Sequence, residues 1–275
     1  MGIRTDLALD AHELWRQSTG EQTAHSGVWA QEKRHRGVRI TTVKILDEDG
    51  VKRLHKPIGT YLTLEIDGLR KKEQNGFRQT VLALAAELEK LIGERDNVLV
   101  VGLGNEAVTP DAVGPKTLRS VIVTRHLKDV LKDTMRGFRT VSTAEPGVLG
   151  TTGIESAELV RALVRDIRPE AVIVVDALAS SSPSRICASI QLTDTGIVPG
   201  SGVGNSRAAF NEASLGVPVI AVGVPTVMDA GEEGMIVIPR DIDARVREIG
   251  KVIGYALDLA LHRGLHVEDI PAFLS

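Results

Sequence analysis

The chain has 275 residues, 43% hydrophobic and 25% charged, with a formal net charge of -3. Near-neutral charge leaves no electrostatic footprint for DNA, and 3% aromatic content supplies no stacking platforms for single strands. One cysteine excludes an intramolecular disulfide and a multi-cysteine metal site, and no apolar run approaches the roughly 18 to 20 residues that cross a bilayer. The start, Met1 to Asp10, lacks a signal peptide's hydrophobic stretch, so a reducing, cytoplasmic setting without membrane or nucleic-acid partners is expected.

Charge is denser before residue 95 than after it. A short helix is predicted over residues 7–15, followed by a polar stretch, 17–37, in which no apolar period holds. Two runs rich in β-branched residues, 38–46 and 59–66, flank an Asp-, Gly- and Lys-rich segment that reads as a turn, which predicts a small antiparallel appendage over 38–66. Val81, Leu82, Leu84, Ala85, Leu88 and Leu91 recur at helical spacing, giving an amphipathic helix over 79–92.

From Asn97 the pattern becomes short, almost wholly apolar strands, 98–103, 171–175 and 217–224, as expected for strands covered on both faces. Helices are predicted over 115–132, 153–167 and 241–262, and an additional strand over 185–192. Strands alternating with helices imply one α/β domain: a three-layer αβα, phosphorylase/hydrolase-like arrangement with a mostly parallel sheet.

In such sheets, ligands collect beyond the carboxyl ends of the strands. Asp111 lies in the loop after the first core strand, and Asp176 directly follows Val172-Ile173-Val174-Val175. An aspartate at the end of a buried strand is poorly explained as a solvated charge. Each alone is equally well explained as a cap or a partner for loop amides. Two apposed carboxyls tend to share one proton, activate water and protonate a leaving group, so amide hydrolysis is accessible without Ser, Cys or metal.

Competing signals are weaker. Gly102-Leu103-Gly104-Asn105-Glu106-Ala107 satisfies the dinucleotide fingerprint in form, but Pro110 and Pro115 break the helix it requires. Gly200-Ser201-Gly202-Val203-Gly204-Asn205 lacks the P-loop lysine and reads as a tight loop. Asp194-Thr195-Gly196 spells the pepsin-like tripeptide in an alternating α/β context, and reads as a chance match. The seven histidines show no ligand spacing; His126 alone is placed near the presumed site. Cys187 reads as a small apolar core group.

Read in order, Ile3-Arg4-Thr5-Asp6-Leu7-Ala8, Val101-Gly102-Leu103-Gly104-Asn105, Val108-Thr109-Pro110-Asp111-Ala112-Val113-Gly114-Pro115, Thr124-Arg125-His126-Leu127, Pro146-Gly147-Val148-Leu149-Gly150-Thr151-Thr152-Gly153-Ile154-Glu155, Val175-Asp176-Ala177-Leu178-Ala179, Asp194-Thr195-Gly196-Ile197-Val198-Pro199-Gly200-Ser201-Gly202-Val203-Gly204-Asn205 and Gly223-Val224-Pro225-Thr226-Val227-Met228-Asp229-Ala230 resemble the germination proteases of spore-forming bacteria. The resemblance implies an aspartic-type endopeptidase that degrades small acid-soluble spore proteins in the spore core, with a fold similar to the hydrogenase-maturation proteases. It places the family's proposed pair of aspartates at Asp111 and Asp176. No cofactor or resident metal is implied, although the maturation proteases grip nickel with the matching carboxylates, and a nickel-dependent relative or a non-catalytic binder of a small ligand are the alternatives.

The family is made as a self-processing zymogen, cut between an acidic and a bulky apolar residue, which puts the scissile bond at Asp6–Leu7 and a short prosegment over 1–6. Relatives carry an insertion after the position of Ala230, and the family's tetramers imply a homo-oligomer. Around the aspartates, Gly104, Asn105 and Thr109 are expected to shape one wall, with Gly202 and Asn205 as donors to the developing oxyanion.

Overall fold

The computed structural model describes residues 6–19, 27–128, 130, 137–204, 207–229 and 235–274. In chain order the elements are α1 (Ala8–Thr19), β1 (Val28–His35), β2 (Val38–Ile45), α2 (Glu48–Leu54), β3 (Gly59–Glu65), α3 (Asp67–Arg70), α4 (Gly76–Ile92) and β4 (Asn97–Gly102). They continue with α5 (Val113–Leu118), β5 (Thr140–Ala144), α6 (Leu149–Thr152), α7 (Ser156–Ile167), β6 (Ala171–Ser180), β7 (Ser189–Thr193), α8 (Glu212–Leu215), β8 (Val219–Asp229), β9 (Ile236–Val237), α9 (Ile242–Leu261) and α10 (Ile270–Leu274). No described helix is long and apolar enough to cross a membrane.

The strands form one nine-stranded sheet, ordered β1-β2-β3-β7-β8-β6-β4-β5, with β9 added to β8. Its β8-β6-β4-β5 half is parallel, as strands joined through helices must be. The β-branched runs in this half alternate between two cores. Val98, Val100, Ile173 and Val175 join the layer of α4, α5 and α9, whereas Leu99, Val101, Val172 and Val174 meet Val160 and Val164 of α7. Each strand therefore reads as apolar throughout because both of its faces are covered.

The N-terminal strands do not form a separate unit. β3 pairs antiparallel with β7, Tyr61 opposite Thr193 and Leu64 opposite Ile190, so β1, β2 and β3 extend the central sheet. Between β2 and β3 lies α2 instead of a simple turn, because Asp47 caps it by accepting from the N–H groups of Asp49 and Gly50. β1 carries no apolar period because it is an edge strand, and its exposed Gln31–Arg34 stretch blunts the open edge with charge.

The helix predicted over 115–132 ends at Leu118. Beyond it Ile122 N–H donates to Asp258 Oδ1 at 2.8 Å, and the Thr124 hydroxyl bridges Arg139 O and Val141 N, so the segment with buried Val121, Ile122 and Thr124 is tied to α9 and β5. β6 runs on past Val175 to Ser180 because β8 continues beside it as far as Met228.

Cys187 is buried, and loss of solvation pushes its thiol up to about 12. It is expected to stay unmodified by a disulfide-exchange reagent in the native protein and to react fully once denaturant unfolds the chain; native-state labelling at the unfolded rate would contradict the packing.

Candidate active site

Parallel strand β4 stops at Gly102, opposite Val175, while its neighbour β6 continues. That offset opens a crevice in which Asp176 sits at the level where β4 gives out. The chain after β4 turns back sharply. Gly104 has φ +110°, and a Cβ there would run into the carbonyl oxygen of Asp111; only glycine lets the loop close this tightly. The closure brings Asp111, at the end of the 3₁₀ turn Thr109–Asp111, against the loop start, where its Oδ2 accepts from Asn105 N–H at 2.8 Å.

Asp176 is only 4% exposed, and its Oδ1 accepts from Ala177 N–H at 2.9 Å. Both carboxylates line a cavity of about 600 Å³ together with Asp6, Gly104, Asn105 and Thr226. Thr226 is aimed there by a bulge. The β6–β8 register pairs Leu178 with Pro225 but Ala179 with Val227, leaving Thr226 as the extra residue. Its hydroxyl is buried with no hydrogen-bond partner among the described residues.

The electrostatics separate the two acids. Burial holds the Asp176 carboxyl well above the ordinary aspartate range, and the charges of Asp111 and Asp6 push it further in the same direction against the Ala177 N–H. Burial also raises Asp111, opposed by the Asn105 N–H. The pair therefore offers a held proton on Asp176 beside a more accessible carboxylate on Asp111. Such a set can take a proton from water with one member and deliver one with the other.

The predicted site residues divide. Gly104, Asn105, Asp111, Asp176 and Asp6 line one cavity. Leu7 is wholly buried beside it in sequence, and Gly202 is buried with its Cα against the Asp6 carboxylate. Thr109 turns away, donating to Asp243 Oδ1 on α9 at 2.8 Å, and so fastens the loop without lining the cavity. His126 is exposed on the turn after Thr124, outside the cavity lining, because α5 ends early and no helix carries it inward. Asn205 lies outside the described residues. Asp194 of the pepsin-like tripeptide accepts from Thr60 N–H at 2.8 Å and does not line the cavity with Asp111 and Asp176.

Sequence reasoning missed Thr226, whose bulge is invisible without the register, and Ser201, noted only as part of a glycine-rich loop. It also missed how the N-terminal segment is held. Asp10 is buried and accepts from Ser181 N–H at 3.0 Å and the Ser181 hydroxyl at 2.8 Å, with Arg185 Nε 3.3 Å from its other oxygen. Arg185 also reaches Glu13 at 2.6 Å. Ala8 N–H donates to Gln191 Oε1 at 2.8 Å.

Fold and crevice define an α/β protein with two acids facing one cleft at the carboxyl edge of its parallel strands. The family model described as germination protease matches residues 8–233. Germination proteases of Clostridium perfringens (strain SM101 / Type A) and Caldanaerobacter subterraneus subsp. tengcongensis are 37% and 38% identical over 324 aligned positions, covering 99% and 100% of this chain and 99% and 98% of theirs. That of Oceanobacillus iheyensis is 45% identical over 238 positions, 83% of this chain and 64% of its own. A solved structure of a NiFe hydrogenase maturation protease from Thermococcus kodakarensis KOD1 aligns with a TM-score of 0.37 and 17% identity, covering 62% of this chain and 98% of that one.

The chain belongs to the germination protease family. It is thus a peptidase of the group named for spore germination. The 324-position alignments exceed the 275 residues of this chain, so these relatives carry residues it lacks. The insertion expected after Ala230 would fall at positions 230–234, outside the described residues.

Proposed function

We propose that this peptidase is an aspartic-type endopeptidase that cuts small acid-soluble spore proteins in the spore core, after cutting itself at Asp6–Leu7. The observation that carries the reading is that the two acids chosen from strand-end position share one cavity with the chain's own Asp6. In the reaction, Asp111 takes a proton from water as its oxygen attacks the peptide carbonyl, and Asp176 gives its proton to the carbonyl oxygen. The tetrahedral diol then collapses. Its C–N bond breaks, the leaving nitrogen takes the proton held on Asp111, and a diol hydroxyl returns one to Asp176 as the carboxylic acid forms.

Each half of this cycle needs the two acids in opposite protonation states, which the unequal burial of Asp176 and Asp111 favours. Nickel capture would require a further ligand, and among the described residues no group of three His, Cys, Asp or Glu is placed to hold a metal ion.

Incubation with a peptide containing Thr-Glu-Phe-Ala, followed by mass analysis, tests the proposal. A single cut after Glu, unchanged by chelator or added nickel, is expected. Absence of fragments would favour a non-catalytic binder, and cutting only with nickel a maturation-type enzyme. Thr226→Val is isosteric and breaks no hydrogen bond to the described residues, so it is expected to keep the fold and to slow cutting about tenfold if the buried hydroxyl holds water or substrate. An unchanged rate would remove Thr226 from the site.

A further inference from the structure

Asp6 is held in a way that helix α1 does not require. Its backbone N–H donates to Ala179 O at 3.0 Å, and its Oδ2 accepts from Ala179 N–H at 2.9 Å. The Ser201 hydroxyl donates to its Oδ1 at 2.6 Å. Gly202 closes the third side, where any side chain would overlap Oδ2. One N–H, one O–H and a bare glycine face thus enclose a carboxylate, beside the strand that carries Asp176.

The nest also has a charge and a way out. Asp6 and Leu178 line both the 600 Å³ cavity and a second cavity of about 790 Å³, which Lys56 and Ser201 also line. Burial lowers the Lys56 ammonium below the ordinary lysine value, and the nearby charges of Asp6 and Asp10 act against that lowering. A side chain one methylene longer than aspartate would reach further toward that second cavity.

We propose that Ala179 N–H, the Ser201 hydroxyl and Lys56 form the subsite that takes the acidic side chain of a bound peptide at the residue preceding the cut bond, and that Asp6 occupies it in this chain. The inference deepens the endopeptidase reading and rests on it. The chemistry selects an anion. A carboxylate accepts on both oxygens and carries the charge that an ammonium answers, whereas a neutral amide accepts on one side only, must reverse the Ser201 hydroxyl to donate to it and loses the charge-assisted bonds, and an apolar side chain leaves the donors unpaired.

The test compares kcat/KM of the full chain, once mild acidification has released residues 1–6 as judged by intact mass, on two peptides, one with Thr-Glu-Phe-Ala and one with Thr-Gln-Phe-Ala, for the parent, Ser201→Ala, Ser201→Thr and Lys56→Met, with circular dichroism confirming the fold. The parent is expected to prefer Glu over Gln by about tenfold to a hundredfold. That ratio should fall toward unity in Ser201→Ala and Lys56→Met and return in Ser201→Thr, which keeps the hydroxyl. A parent that cuts both peptides equally, or a ratio untouched by Ser201→Ala, overturns the subsite while leaving the endopeptidase standing. A parent that has released residues 1–6 and cuts neither peptide removes both. If Ser201→Ala does not fold, Lys56→Met and Ser201→Thr decide.

Discussion

Asp111→Asn and Asp176→Asn are each expected to lower kcat/KM on a spore-protein peptide by about 10²- to 10⁴-fold, the range that positioned acid–base groups contribute. The amide keeps the carboxyl's shape, so loss of cutting would follow from loss of the titrating group. Stability should move the other way. Asp176 holds its proton more tightly when folded than when unfolded, through burial and then the charges of Asp111 and Asp6. A raised carboxyl favours the folded state fully below the ordinary aspartate value of 3.8, and that contribution is lost as pH rises through the folded value.

At neutral pH the parent therefore bears the cost of burying this group, and Asp176→Asn removes it. Calorimetry should show a higher Tm for Asp176→Asn at pH 7 than for the parent, with the gain disappearing below about pH 4. A variant that is less stable at pH 7 would mean that the carboxyl makes a stabilising contact the structure does not contain. Retained peptide cleavage in either variant would remove that aspartate from the reaction.

Asp6→Ala is expected to stop release of residues 1–6, slowing self-cutting about a hundredfold or more, because the substitution leaves Ala179 N–H and Ser201 without the acceptor that seats the segment. The rest of the N-terminal region should stay docked, since Asp10 remains fastened to Ser181 and Arg185 and Ala8 to Gln191. Intact-mass measurements over time after mild acidification check this. A parent that loses residues 1–6 while the variant remains whole is the expected result; equal rates would place the self-cut elsewhere. Loss of Asp6 also withdraws one of the charges that raise Asp176, so the processed protein should titrate its acid limb at lower pH than the unprocessed one.

The parallel half of the sheet was legible because strands buried on both faces must be apolar at every position, as Val172 to Val175 are. The same rule made Asp111 and Asp176 conspicuous, since each interrupts an apolar strand or follows one. β1 was not legible: an edge strand facing solvent has no apolar alternation to read. The early end of α5 depends on Asp258, a residue far along the chain, accepting from Ile122 N–H, and no local propensity encodes that partner. His126 was misplaced for the same reason.

The seat of Asp6 joins residues more than 170 positions apart, and the bulge that aims Thr226 exists only once β6 and β8 are in register. A motif quoted from the sequence could flag these segments, but not bring Ser201 to one end of the chain.

The proposed reaction requires Asp111 and Asp176 to behave as one coupled acid–base unit. A ¹³C NMR titration of aspartate carboxyls, in the parent, Asp111→Asn and Asp176→Asn, addresses it without requiring turnover. The expected result is a carboxyl that titrates well above the ordinary aspartate range in the parent, vanishes in Asp176→Asn and moves to lower pH in Asp111→Asn, where the neighbouring negative charge is gone. Asp258, also raised by burial, serves as the internal control and should not respond to either change. An Asp176 signal that titrates in the ordinary range, or that is unmoved by Asp111→Asn, would contradict the pairing.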